Sequence, residues 1–238
     1  MKKLAIIFLL FTLLSPAFGQ TGEQTFDLSA GAMFPLKDLS DSNLADSSSG
    51  ASAVGYHIQV SYSYQFSDFF GVGVDVEFND AKYSMSKVAD YYRQLLDDAQ
   101  HEISSPLGWS IGGIYFRYYI QIPLSSSIFT EVSPLIGGMG TYSPEYTINS
   151  TSFIPPGPNP TYTYYRQRGK AFSFAYGLEA KFILKTNHHG VFLSVRALRS
   201  KPTFDNISGV GYDGKPYLQK ITMDIMYLTA SAGYSYYF

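Results

Sequence analysis

The chain has 238 residues, with 17 Lys and Arg against 19 Asp and Glu for a net charge of −2, and it contains no Cys. That balance, spread without long runs, gives no electrostatic footprint for a nucleic-acid partner, and the lack of thiols leaves neither a disulfide framework nor a lipid anchor on an N-terminal Cys. Aromatics make up 17%, with 21 Tyr and 18 Phe but one Trp, while mean hydropathy is −0.04, the average expected where strands alternate between hydrocarbon and a polar interior.

Lys2 and Lys3 precede the apolar run Leu4 to Leu14, and Ser15-Pro16-Ala17-Phe18-Gly19 ends on small residues. The pattern is that of a secretory signal peptide over 1–19 with cleavage after Gly19, leaving one mature domain over 20–238. The run is too short for a membrane-spanning helix, which needs about 20 apolar residues. Loss of the two lysines takes the net charge from −2 to −4.

The next segment alternates with period two: Phe26, Leu28, Ala30, Ala32 and Phe34 interleave with Asp27, Ser29 and Gly31, predicting a first strand over about 25–34. Val54, Tyr56, Ile58, Val60, Tyr62, Tyr64 and Phe66 alternate with polar residues as the second strand, Ser67-Asp68 is a turn, and Phe70 to Phe78 return as the third. In Lys87 to His101, residues Val88, Tyr91, Tyr92, Leu95, Leu96 and Ala99 recur at helical spacing and predict a short amphipathic helix. The fourth strand is expected from Trp109 to Ile122, with Tyr115, Arg117 and Gln121 on its polar face, followed by a turn at Pro123-Leu-Ser-Ser126. Ser127 to Tyr142 is the fifth, carrying Glu131 inward. Ile154-Pro-Pro-Gly-Pro-Asn-Pro160 fits neither strand nor helix and is expected at a stiff loop tip. Phe172 to Leu184 make the sixth strand with Glu179 and Lys181 inward, Thr186 to Gly190 the turn, Val191 to Ala197 the seventh strand with Arg196 inward, and Ile221 to Phe238 the eighth.

No later segment is apolar enough for a helical span, and a closed barrel is the other way to satisfy every backbone group in lipid. The connections alternate short (67–68, 123–126, 186–190) with long (about 35–52, 80–108, 143–169, 201–220). Short periplasmic turns and long external loops follow this rule, so the expected fold is all-β: an eight-stranded antiparallel transmembrane β-barrel with both termini on the turn side.

Eight strands enclose a lumen that side chains fill. The inward charges Asp75, Glu77, Glu131, Glu179, Lys181, Arg117 and Arg196 must pair there or cost several kcal/mol, which predicts a structural ion-pair network. A narrow polar conduit and a buried acid/base site are the alternatives. Strands of about 14 residues exceed the roughly 9–11 needed to cross, and the excess is expected to run outside, through Tyr-rich tracts such as Tyr142 to Tyr146 and Thr161 to Tyr165. His57 faces the lumen within reach of Ser61 or Glu77, and a satisfied interior histidine is the expected role. His188 and His189 fall in a turn and suit neither a metal site nor a nucleophile–base pair. No catalytic, cofactor-binding or metal-ligating set emerges, and no phosphate, zinc or Ca²⁺ loop is present.

Gly31-Ala-Met-Phe-Pro35, Trp109, Ile122-Pro-Leu124, Lys201-Pro-Thr-Phe204 and Gly233-Tyr-Ser-Tyr-Tyr-Phe238 carry a resemblance that spans the mature chain. The chain resembles the small outer-membrane β-barrel family of the Bacteroidetes type, similar in architecture to OmpX and the OmpA membrane domain and more loosely to PorT-like proteins. The resemblance implies delivery through the periplasm and insertion by the barrel-assembly machinery, which reads a C-terminal aromatic strand, here Tyr234, Tyr236 and Phe238. The expected role is non-enzymatic, structural or surface-binding through the external loops, in contact with outer-membrane lipid and lipopolysaccharide. Rival readings are an outer-leaflet lipid-modifying enzyme, which needs His57 or His101 beside a Ser or carboxylate, a small channel, and a secretion-associated PorT-like barrel.

Overall fold

The computed structural model describes residues 22–43, 46–95, 99–152 and 161–238. The signal segment and the Pro-rich run Ile154 to Pro160 lie outside the described residues.

Eight strands close into an antiparallel barrel: β1 (Glu23–Lys37), β2 (Gly55–Gln65), β3 (Phe70–Ala81), β5 (Trp109–Pro123), β6 (Ile128–Tyr142), β9 (Lys170–Thr186), β10 (His189–Ser200) and β13 (Ile225–Tyr237), with β1 pairing with β13 to complete the ring. Each expected strand is present. The register is set by the apolar alternation, because a one-residue slip would turn every outward Phe, Val or Ile into the lumen. Leu28 opposite Val60, Val76 opposite Ile114 and Ala180 opposite Val195 show outward residues meeting outward residues.

The exterior is apolar, with Leu28, Val76, Ile114, Phe116, Phe174 and Leu193 among its exposed side chains. Pro134 lies within β6, and the β5–β6 ladder lapses between Arg117 opposite Leu135 and Ile120 opposite Val132, as expected where a proline withholds an N–H. The start of β1 and the end of β13 sit at the turn end, where Phe238 N–H donates to the Gln24 carbonyl at 3.0 Å. The turn after β9 is tighter than the expected 186–190: only Asn187 and His188 separate the strands, with Asn187 at φ 48, a left-handed position that Asn tolerates.

The long connections depart from the sequence expectation. Three of the four, 80–108, 143–169 and 201–220, contribute to a second sheet of β4 (Ala99–Leu107), β7 (Glu145–Ser152), β8 (Thr161–Arg166), β11 (Thr203–Val210) and β12 (Pro216–Thr222), in the order β12-β11-β8-β7-β4, with the Tyr-rich tract Thr161 to Tyr165 running outside the barrel as expected. Each of these strands adjoins a barrel strand in sequence, so the sheet repeats the barrel order β13-β10-β9-β6-β5 and raises the wall on five of its eight strands. The expected helix is shorter than 87–101: α1 spans Met85–Leu95, and Ala99 onward, His101 included, is strand β4. Ser104-Ser105-Pro106 hid that strand, since it holds no alternation, and the ladder with β7 shifts register between Ser104 and Leu107. The eighth barrel strand likewise starts at Ile225 rather than Ile221, because Asp224 breaks the run: its N–H donates to Asp38 Oδ2 at 2.7 Å.

The lumen has two zones. Towards the loop end, Met33, Trp109, Leu135, Met139, Leu198 and Tyr227 pack with Leu39 from the first loop and Phe204 from β11 in one buried cluster. Trp109 Nε1–H donates to the Gly50 carbonyl at 2.8 Å, and its ring meets Phe204 edge-on with centroids 6.3 Å apart. The cluster plugs the barrel mouth. The polar zone lies below it.

Candidate functional site

Alternation turns every second residue of a strand inward, and the ring of strands brings the polar ones to a common depth. Arg117 is at the centre. Its guanidinium lies 3.3 Å from Asp27 and 3.3 Å from Asp75, and 3.7 Å from both Glu131 and Glu179. Arg196 reaches Asp75 at 2.6 Å, Glu77 at 3.0 Å and Glu179 at 3.2 Å. Lys181 crosses the lumen to Asp27 at 2.7 Å although Glu131 is its cross-strand neighbour. Thus all seven charged residues picked from the sequence meet in one buried network. The eighth member, Asp27, was missed as a network residue: its alternation marks it as inward, but its partners lie 90 and 154 residues away, and pairing over such separations leaves no local signal.

Neutral groups complete the cluster. Ser235 Oγ–H donates to Asp27 Oδ1 at 2.7 Å, Tyr115 O–H and Asn79 Nδ2–H donate to Glu77 Oε1 at 3.2 Å each, and Tyr227 O–H donates to the same oxygen. The Arg117 guanidinium lies 5.3 Å from the Tyr119 ring centroid and the Lys181 ammonium 4.8 Å from that of Phe192, so aromatic faces cover the cations from the turn side. Among the described residues the lumen thus holds five buried carboxylates and three buried cations.

His57 is buried, but not against Ser61 or Glu77. Nδ1 is 2.8 Å from Asn79 Oδ1 and Nε2 is 3.4 Å from Gln59 Oε1. Gln59 Nε2–H in turn donates to Ser61 Oγ at 2.7 Å, so an amide stands between the imidazole and the hydroxyl. The side chain of His101 lies outside the described residues. His188 and His189 are at the turn end, where His188 Nδ1 is 3.0 Å from the Tyr237 carbonyl. No group of three or more His, Cys, Asp and Glu able to hold a metal occurs among the described residues.

On the loop side, the lumen-facing surface of the second sheet carries a ladder of aromatic rings. Tyr83 and Tyr146 stack at 4.9 Å, Tyr146 and Tyr164 at 5.9 Å, and Tyr164 and Tyr217 at 5.7 Å. Tyr164 and Tyr217 share a hydrogen bond of 2.6 Å. Desolvation, reinforced by Tyr146 and Tyr217, pushes the Tyr164 hydroxyl far above the ordinary tyrosine range. Val88 of α1 and Ala51 of the first loop pack on this ladder. At the rim, Asp224 is held below the usual carboxylate range, first by hydrogen bonds from Arg199, against partial desolvation, and then by Lys37. The C-terminal aromatics Tyr234, Tyr236 and Phe238 are exposed on the outer wall at the turn end.

No family model matches the chain, and no curated protein matches it. Among solved structures, it is similar to a major outer membrane protein from Thermus thermophilus, at 10% identity over 92% of this chain and 100% of that one, with a TM-score of 0.48. It is also similar to Neisserial surface protein A, at 13% identity, the same coverages and a TM-score of 0.43. Ail, the attachment invasion locus protein of Yersinia pestis, gives 12% identity over the same shares of the two chains and a TM-score of 0.42.

Proposed function

We propose that this chain is a non-enzymatic integral protein of the bacterial outer membrane, exported by the segment 1–19 with cleavage after Gly19, and presenting a rigid external sheet to a surface partner. The observation that carries the reading is the inverted polarity of the barrel. Exposed Leu28, Val76, Ile114 and Phe174 clothe the outside, while Arg117, Lys181 and Arg196 are buried inside against carboxylates. Water solvates the first set poorly and the second well, so only a hydrocarbon surrounding makes the arrangement favourable.

The lumen network has a structural role in this reading: it satisfies inward charges in a space closed on the loop side by Trp109, Phe204 and Leu39. The same closure disfavours the channel reading. The amide partners of His57 disfavour the lipid-modifying enzyme, because neither ring nitrogen is opposed by a nucleophile or carboxylate. Tyr234, Tyr236 and Phe238 serve as the assembly signal for the barrel-assembly machinery, and kinship with the Bacteroidetes-type and PorT-like barrels belongs to the same proposal. A sheet raised above the barrel on five strands offers preorganised backbone and side chains to a surface ligand, as rigidly presented connections do elsewhere.

The test is heat-modifiable gel mobility of the protein in membranes, paired with protease treatment of intact cells. The expected result is a mobility shift on boiling, with cleavage confined to the connections on the loop side. A soluble, unshifted product cleaved throughout overturns the membrane reading.

A further inference from the structure

Glycines thin the apolar outer wall between β5 and β6. Gly112 of β5 pairs with Gly140 of β6, and Gly138, two residues along β6, pairs with Ile114 on one side and Phe174 on the other. A methyl group at Gly140 would meet only the Gly112 carbonyl, at 3.8 Å, and one at Gly112 nothing nearer than 3.5 Å, so both positions open outward. Below them lies a groove of about 420 Å³ lined by Ile114, Phe116, Ile136, Phe172 and Phe174, with the Phe172 ring leaning over Gly138.

The head of this groove is cationic. Two residues beyond Gly140, Tyr142 pairs with Lys170, and the Arg168 guanidinium sits 4.9 Å from the Tyr142 ring centroid. Arg168 Nη2–H donates to Ser110 Oγ at 2.7 Å, and Ser110 donates on to Asp80 at 2.9 Å, so Asp80 reaches the guanidinium only through a hydroxyl. Gln167 and Asn206 join Arg168 and Lys170 around a second depression of about 420 Å³, whose one acid, Asp205, is 2.8 Å from Lys220. Among the described residues neither Arg168 nor Lys170 has an ion-pair partner. On the β1–β10–β13 side of the rim, by contrast, Lys37 and Arg199 both meet Asp224.

We propose that the β5–β6–β9 face binds one phosphorylated lipid of the loop-side leaflet, lipid A in an outer membrane, with its phosphate at Arg168 and Lys170 and an acyl chain in the groove below Gly140. The inference rests on the membrane reading above. The distance from the Tyr142 row to Gly138 is four residues, about 13 Å along a strand, so one amphiphile spans both halves. Arg and Lys without carboxylate partners favour a phosphate through charge-assisted hydrogen bonds. Gln167, Asn206 and Tyr142 add uncharged hydrogen-bonding groups suited to the sugar hydroxyls beside it. The trough runs from the open positions Gly112 and Gly140 past the tip of the Phe172 ring, which leans over Gly138, and its Ile and Phe walls suit a methylene chain.

The experiment is native mass spectrometry of the full barrel released from detergent after exposure to lipid A or, separately, to zwitterionic phosphatidylcholine. One lipid A per barrel is expected to survive release, about tenfold or more in preference to phosphatidylcholine. Gly140→Leu, which blocks the path from the rim to the groove, and the double variant R168Q/K170Q, which removes the charge, should each abolish that preference while heat-modifiable mobility is retained. Equal retention of the two lipids, or preference kept in either variant, overturns the proposal. Loss of the mobility shift in the unaltered protein instead overturns the membrane reading on which it rests.

Discussion

Replacing Arg196 by Met removes one of three cations that face five carboxylates. Arg196 lies within ion-pair distance of Asp75, Glu77 and Glu179, and deleting one partner of a buried pair costs about 3–5 kcal/mol because the other charge stays buried and uncompensated. For a chain of this length a guanidinium slope of about 4 kcal/mol per molar is expected, so a loss of about 4 kcal/mol lowers the unfolding midpoint by about 1 M. Glu179→Gln is the matched opposite. It removes an acid from the side in excess, keeps the shape and leaves four carboxylates against three cations, so its cost should fall to about 1 kcal/mol, the net worth of a hydrogen bond. Trp109, the single tryptophan and fully buried, reports unfolding in vesicles by its fluorescence. The reasoning is refuted if the two variants lose equal stability or if the glutamine variant loses more.

Trp109→Phe, which keeps the ring packing but removes the N–H to Gly50, should cost about 1 kcal/mol and speed cleavage of the first loop by added protease; unchanged cleavage would show that the indole does not tether that loop. At Gly31 a methyl carbon would sit 2.0 Å from the Ala230 carbonyl, so Gly31→Val should prevent closure of the β1–β13 seam and abolish the heat-modifiable shift. Asp224 has a folded value below its unfolded one, so its stabilisation is present above the usual carboxylate range and is lost as pH falls through the lowered value. Acid titration by amide hydrogen exchange should therefore show the Lys37–Asp224–Arg199 contact loosening only below about pH 4, and D224N should lack that step. In planar bilayers the unaltered barrel should be electrically silent, and stable unitary conductance would contradict a filled lumen.

How far the sequence discloses the molecule depends on what kind of order each part uses. The barrel strands read directly, since one face of each meets a uniform surrounding and the period-two signal is written into every residue from Tyr56 to Tyr64 or Phe172 to Leu184. The second sheet did not, because β4 and β11 owe their pairing to neighbours raised beside them by the barrel and contain Ser-Ser-Pro or Asp-Asn-Ile where alternation would be sought. The Lys87 to His101 pattern mixed a helix with the start of a strand, and helical spacing persists by chance across the junction. Among the lumen residues, inwardness was legible and partnership was not. The ladder sets Glu131 opposite Lys181, yet the ammonium crosses to Asp27 because a long, flexible side chain chooses by distance through the lumen rather than along the ladder.

The position of Asp27 bears on how the chain assembles. It belongs to β1, the strand that meets β13 last in the ring, with Thr25 opposite Tyr237 across nearly the whole sequence. Its carboxylate is held by Arg117 of β5, Lys181 of β9 and Ser235 of β13. Until the two chain ends zip together, Lys181 lacks its nearest counter-ion, and the half-built interior must stay hydrated to tolerate it. Sealing the seam and drying the interior are therefore one step, late and slow on topological grounds. A precursor stalled before that step would keep a wetted cleft between its first and last strands, recognisable by rapid deuterium uptake along both.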